Sequence, residues 1–169
     1  MDELRIIMAN QNGPDILGIC ETFLERNISD NQVAIDGYEL IRKDRADTKN
    51  KTGGGLVLYF RNSIRYKRRS DFEISNIETL WAEIELQNAK PFLLCTVYRP
   101  PNSLNEWIDL FEEELSKAQT SGLELLLMGD FNIDLKSHNN KKWLKLTNLF
   151  DLIQLVKPSQ PGLLKQLQH

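Results

Sequence analysis

Leu125-Leu126-Leu127-Met128-Gly129-Asp130-Phe131-Asn132 is an apolar strand that stops abruptly in Gly-Asp-Phe-Asn. Side chains alternate along a strand, so a carboxylate and a carboxamide two residues apart leave its end on the same side. Asp130 is an acceptor only, whereas Asn132 carries donor and acceptor together. Such a pair can orient a water and hold a phosphate oxygen, or take a hard cation. Gly-Asp-x-Asn is also a good turn, because Asp and Asn bond their own backbone. The local pattern admits both readings, and the rest of the chain has to decide between them.

Upstream of this strand, Leu104, Trp107, Ile108, Phe111, Leu115 and Ala118 recur at helical spacing, and Gly122 closes the helix. Ser103 followed by Glu106 reads as a capping box at its start. Before it, Leu80, Ala82, Ile84 and Leu86 share one strand face, and Phe92 to Tyr98 returns after the Gln87-to-Pro91 turn as a hairpin partner. Leu56 to Phe60 is a strand entered from Gly53-Gly54-Gly55. The triglycine reads as a tight turn, since a phosphate loop would run into Lys-Ser/Thr and a helix. Ile64 to Arg68 alternates apolar and basic; Ile16 to Cys20 and Gly37 to Arg42 read as further strands. Leu4, Ile7 and Met8 mark a first helix, and Trp143, Leu146, Leu149 and Phe150 a last one. Hairpin-connected strands with interspersed helices predict a layered α+β or mixed α/β domain.

A chain of 169 residues, 41% hydrophobic, is one domain's worth and can fill a core. No apolar run approaches the roughly 20 residues of a membrane span. The acidic start, Met1-Asp2-Glu3, lacks the basic and apolar regions of a signal peptide, so an intracellular location, nuclear or cytoplasmic, is expected. Cys20 and Cys95 sit in apolar strands and are expected as free thiols. The net charge of -3 hides an asymmetry: residues 42–69 hold ten basic and two acidic side chains, +8, which leaves -11 for the remainder. Concentrated positive charge on an otherwise acidic protein points to a polyanion surface. Arg61, Arg65, Lys67, Arg68 and Arg69 are the candidate nucleic-acid contacts. The other reading is a pair of exposed hairpins whose charges protect sheet edges.

Four segments, in order, resemble the endonuclease/exonuclease/phosphatase superfamily, and most closely the apurinic-like endonuclease domains of non-LTR retrotransposon polyproteins. They are Pro14 to Leu24 (Pro-Asp-Ile-Leu-Gly-Ile-Cys-Glu-Thr-Phe-Leu), Gly53 to Phe60, Val97 to Asn102 (Val-Tyr-Arg-Pro-Pro-Asn), and Gly129 to Asn132. The resemblance implies a four-layered α/β sandwich of two mixed sheets packed face to face with helices outside. It further implies that Glu21 binds Mg²⁺ or Mn²⁺, that Tyr98 hydrogen-bonds the scissile phosphate, that Asp130 positions or deprotonates the attacking water, and that Asn132 stabilises charge on the phosphate. Metal-assisted hydrolysis of a phosphodiester uses these parts: a cation, an oriented water, and donors at the phosphoryl oxygens. DNA is the implied partner, and a reverse transcriptase would share the parent polyprotein.

The chain also departs from the family pattern. A family member begins with a strand ending in Asn ahead of the first helix, and ends with a later Asp and a Ser-Asp-His element. Here the two histidines are His138, in a polar loop, and His169, the last residue, which follows no Ser-Asp. We therefore expect residues 1–157 to form a partial domain with both edges missing, followed by a divergent tail at 158–169. The expected activity is weak or nil. The alternative is a catalytically silent nucleic-acid- or protein-binding module using the basic 42–69 segment.

Overall fold

A computed structural model describes residues 2–9, 13–25, 27–45, 53–133 and 140–155. His138, His169 and the 158–169 tail lie outside the described residues.

Three strands, β1 (Ile16–Cys20), β2 (Tyr38–Lys43) and β3 (Leu56–Arg61), make an antiparallel sheet in the order β1-β3-β2. A second sheet is mixed: β4 (Arg65–Arg68), β5 (Glu78–Glu85) and β6 (Phe92–Tyr98) pair antiparallel, and β7 (Glu124–Asp130) joins β6 in parallel. A parallel neighbour requires a crossover, which here is the helix predicted from the 104–118 spacing. Among the described residues, four helices flank the sheets: α1 (Asp2–Ala9), the single turn α2 (Asp30–Val33), α3 (Glu106–Gln119) and α4 (Lys141–Leu149).

Strand periodicity divides the core into three clusters, one between the sheets and one on the outer face of each. Leu56, Leu58 and Phe60 of β3 face Leu80, Ala82 and Ile84 of β5 and Leu94 of β6, forming the layer between the sheets. Val57 and Tyr59 point the other way, onto Met8 of α1 and Ile35. Trp81, Leu93, Cys95 and Val97 leave the second sheet on its outer face and pack with Phe111, Leu115 and Ala118 of α3. Because β3 is covered on both faces, its apolar run is continuous rather than alternating. The observed arrangement is thus the α/β sandwich that the family resemblance implies, with helices outside two packed sheets, although among the described residues the first sheet is antiparallel and only the second is mixed.

The thiols end on different faces. Cys20 packs in the inter-sheet layer and Cys95 in the outer one, so the thickness of the second sheet separates them and both are free. The capping box at Ser103 does not form. Ser103 N and Oγ both donate to Pro100 O, at 3.2 and 2.7 Å, which completes a turn after the two prolines. The helix starts later, with Asn105 at its N-cap. A reach-back of the capping-box kind occurs instead at α2, where Ser29 N donates to Gln32 Oε1 at 2.8 Å.

Two glycines set the approach of the strands that carry the site. A Cβ on Gly18 would meet Met128 Cε at 2.9 Å, so β1 crosses close over β7. Gly129, at φ +133°, leaves no room for a Cβ against the Val97 backbone. Among the described residues, no helix is long and apolar enough to cross a membrane.

Candidate active site

Register places three polar residues in one row across the second sheet: Glu78 opens β5 opposite Tyr98, and Tyr98 ends β6 opposite Asp130 at the end of β7. Residues directly opposite share a sheet face. Tyr98 packs in the inter-sheet layer, so that face is turned toward the first sheet. From the first sheet, β1 ends at Cys20 opposite Leu56, which brings Glu21 and the triglycine turn to the same end.

Glu21 leaves β1 with φ +55°, a left-handed conformation that few residues other than glycine adopt. It is held from both sides. Thr22 N and Phe23 N donate to Gly55 O and Gly54 O, at 3.3 and 2.9 Å. The buried Tyr98 donates its hydroxyl to Glu21 Oε1. Burial, followed by this bond to the Glu21 carboxylate, pushes the Tyr98 hydroxyl up to about 12, so it stays protonated and a donor. The Cys20 thiol is raised chiefly by burial, with the carboxylates of Asp130, Glu78 and Glu21 adding to the effect while the Asp130 backbone opposes it. The carboxylates of Asp130, Glu78 and Glu21 thus all lie near the Cys20 thiol, at the end of the sandwich that forms the candidate cleft and where Arg45 also stands.

Asp130 and Asn132 take up the turn, Asp130 from the row that carries Tyr98. Asp130 Oδ1 accepts Asn132 N at 2.9 Å, and Asn132 Nδ2 donates to Arg99 O at 2.8 Å. Arg99 answers with N to Asp130 O at 2.8 Å, Nη1 to Asn132 O at 2.9 Å and Nη2 to Ser103 O at 2.7 Å. Both side chains are exposed. Among the described residues, these bonds leave Asp130 Oδ2, Asn132 Oδ1 and the second amide hydrogen of Asn132 for other partners.

Sequence reasoning missed Glu78, Arg45 and the clamp role of Arg99. Glu78 Oε2 accepts Gly55 N at 3.0 Å, and Oε1 accepts Arg45 Nε. The Arg45 guanidinium stands 5.8 Å from the Tyr98 ring centroid. The signal was available in the strand pattern: Glu78 has the parity of the inward residues Leu80, Ala82 and Ile84, an unusual place for a carboxylate.

The five basic candidates do not gather at this cleft. Arg61 and Arg65 flank the turn at the opposite end of their strands, opposite Tyr38 and Glu85. Arg61 pairs with Asp15 at 3.1 Å and donates to Gly13 O at 2.6 Å. Arg68 pairs with Glu73 at 3.1 Å, and Arg69 with Asp71 and Glu83 at 2.8 and 2.7 Å. Arg65 and Lys67 are exposed along β4, an edge strand.

Among the described residues, no three His, Cys, Asp or Glu side chains are gathered as a cage for a metal ion. Mg²⁺ keeps several waters and takes one or two carboxylates, so an exposed Glu21 with one oxygen bonded to a neutral hydroxyl suits it.

The sequence matches the Endonuclease/Exonuclease/phosphatase family over residues 1–165. The chain belongs to that family. The match runs past residue 157, where the motif resemblance ends. No curated protein matches the sequence significantly. Solved structures share the family fold at low identity. The endonuclease domain of TRAS1, a telomere-specific non-LTR retrotransposon, superimposes with a TM-score of 0.62 at 14% identity, covering 88% of this chain and 64% of that one. The catalytic domain of human Nocturnin, solved with a bound sulfate anion, gives 0.60 at 14% identity, covering 96% and 70%. A functionally unknown conserved protein from Enterococcus faecalis V583 gives 0.55 at 16% identity, covering 84% and 63%. This family member thus spans about two thirds of the chains it resembles.

Proposed function

We propose that this chain carries part of the active site of a metal-dependent DNA endonuclease of retrotransposon origin, whose parent polyprotein also holds a reverse transcriptase. The observation that supports this most directly is the Glu21–Tyr98–Asp130 constellation, three polar side chains brought from three strand ends to one cleft. Family membership supplies the phosphodiesterase class, and the TRAS1 neighbour supports the retrotransposon branch.

In this reading Glu21 holds Mg²⁺ or Mn²⁺, which when bound supplies charge to a phosphoryl oxygen and to the leaving group. Tyr98 keeps its proton and, on releasing Glu21 Oε1, donates it to a phosphate oxygen beside Glu21. Asp130 accepts a proton from the attacking water through the oxygen its turn leaves unused. Asn132 donates the amide hydrogen that Arg99 O does not take. No histidine in these 169 residues follows a Ser-Asp, so these residues by themselves do not supply the His donor of intact family sites. One lost donor in a preorganised site costs about 10²–10³ in rate.

Purified chain with Mg²⁺ is accordingly expected to nick supercoiled plasmid at background level. Joining it to the flanking segments of an intact relative is expected to give nicking that Asp130→Ala abolishes. Robust Asp130-dependent nicking by the 169-residue chain alone would overturn the expectation of a crippled site. An inactive chimaera would count against the assignment of these residues. The alternative, a silent binding module on 42–69, requires available cations, and three of its five best candidates are committed to carboxylates.

A further inference from the structure

We propose that Glu78 is a positioning residue that fixes the Glu21 carboxylate, acting through the Gly54-Gly55 turn. What Glu21 binds rests on the metal-dependent reading above; how Glu21 is held rests on geometry alone.

A non-glycine residue at φ +55° persists only where its surroundings over-determine it. Here the amides following Glu21 are the fixing points, and both donate to carbonyls of the triglycine turn. That turn is itself unusual. Gly53, Gly54 and Gly55 have φ of +108°, +81° and +92°. A Cβ would meet the Phe23 ring at 2.8 Å, the Arg45 guanidinium, and Thr22 Oγ1 at 2.7 Å respectively. The turn is therefore pressed against the Glu21 segment on one side and Arg45 on another.

Glu78 ties it down. Its side chain is only 11% exposed, and its two oxygens are divided between the turn and the arginine. One carboxylate thus reaches from the second sheet to the strand entry of the first. The connections close on themselves: Glu78 holds Gly55, Gly55 and Gly54 hold Thr22 and Phe23, Glu21 accepts from Tyr98, and Tyr98 lies opposite Glu78 in the ladder.

This also separates the roles of two neighbouring carboxylates. Glu78 has both oxygens engaged, one by a cation, which makes it a poor ligand for a second cation. Glu21 has one oxygen on a neutral hydroxyl and the other available. Arg45 thereby keeps Glu78 out of competition with Glu21.

The test uses the 169-residue chain with Glu78→Ala, Glu78→Gln and, as control, Glu21→Ala. Amide exchange at Thr22 and Phe23 reads the backbone, and the electron-spin resonance of free Mn²⁺ during titration reads the carboxylate. Glu78→Ala is expected to speed exchange at both amides at least about tenfold and to weaken Mn²⁺ binding about 10–100-fold, the usual loss on removing an outer partner of a metal ligand. Glu78→Gln keeps an acceptor for Gly55 N but loses the charge facing Arg45, and is expected to fall between. Glu21→Ala is expected to abolish Mn²⁺ binding and leave exchange at the two amides unchanged.

Unchanged exchange and unchanged Mn²⁺ affinity in Glu78→Ala would overturn the proposal. Should that variant fail to fold, the same result in Glu78→Gln would overturn it. If the parent protein and Glu21→Ala bind Mn²⁺ equally, the metal-dependent reading falls instead. The exchange data then decide the positioning role alone, with unchanged exchange refuting it.

Discussion

At the scale of single residues, the outer layer of this protein holds a carboxylate that, among the described residues, no cation neutralises. Glu114 of α3 is fully buried and accepts from Ser75 N and Oγ at 3.2 and 2.6 Å, Thr79 Oγ1 at 2.6 Å and Trp81 Nε1 at 3.0 Å. Four donors replace the water it has lost, and they anchor the start of β5 immediately after Glu78. Glu114→Gln exchanges one acceptor oxygen for a donor and sets an N–H against Trp81 Nε1 or Ser75 N. We expect a loss of about 1–3 kcal/mol, the cost of one buried unsatisfied group, measured by urea unfolding. A loss below a few tenths would show that the network contributes little. Neither Glu114 nor Glu78 declared itself through a motif. Each was legible only as a carboxylate on an otherwise apolar face, a signal that marks a position as unusual without naming its partners. Asp130 and Asn132 were singled out by the apolar strand they end, and Glu21 and Tyr98 through the family resemblance, yet the bonds around Asp130 and Asn132 involve Arg99, 33 residues from Asn132. Sequence spacing carries no information on that pairing.

At the scale of elements, β4 shows why a count of charges overstates an interface. Tyr66 stacks on Phe60 with centroids 3.9 Å apart, which directs Arg65 and Lys67 to the opposite face of an edge strand. Arg68 and Arg69, just beyond, close ion pairs with Glu73, Asp71 and Glu83. Charges on an edge strand also discourage pairing with another sheet. If DNA is a partner, Arg65→Ala with Lys67→Ala is expected to reduce the slope of log affinity against log salt by about two, roughly one for each cation removed. Arg68→Ala with Arg69→Ala is expected to lower the urea midpoint and leave that slope nearly unchanged. The reverse pattern would return the binding role to the ion-paired arginines. The strands themselves were readable because periodicity of two, turns and prolines all agree between Leu56 and Tyr98. The start of α3 was misread because the Ser103 hydroxyl turns back to donate to Pro100 O instead of accepting from the helix amide that a capping box would offer it. α2 is one turn long, too short for any periodic pattern to reveal.

At the scale of the whole molecule, the cleft and the inter-sheet layer share tyrosines whose protons couple stability to alkaline pH. Burial raises Tyr98 and Tyr66 to about 12 from 10.0, reinforced by Glu21 for Tyr98 and by Glu39 for Tyr66. Burial also raises Tyr59, whose hydroxyl donates to Val33 O at 2.8 Å on the helix side of the first sheet. A tyrosine with its folded pKa above its unfolded value keeps its proton in the fold where the unfolded chain has already released it. Unfolding between these values therefore releases protons, and stability falls as pH rises from about 10 toward about 12. Below pH 10 both states are protonated and these groups contribute no slope. Urea midpoints measured from pH 8 upward should thus be level with respect to these hydroxyls and then drop. Tyr98→Phe is expected to remove about one proton from the release on unfolding, and Tyr66→Phe about one more, since the sites sit on different strands and face different carboxylates. Tyr98→Phe also deletes the donor to Glu21, so its midpoint should be lower than that of the parent at pH 8 while its alkaline decline is shallower. An alkaline slope identical in both variants and the parent would show that neither hydroxyl is held protonated, and that the cleft is wetter than its packing indicates.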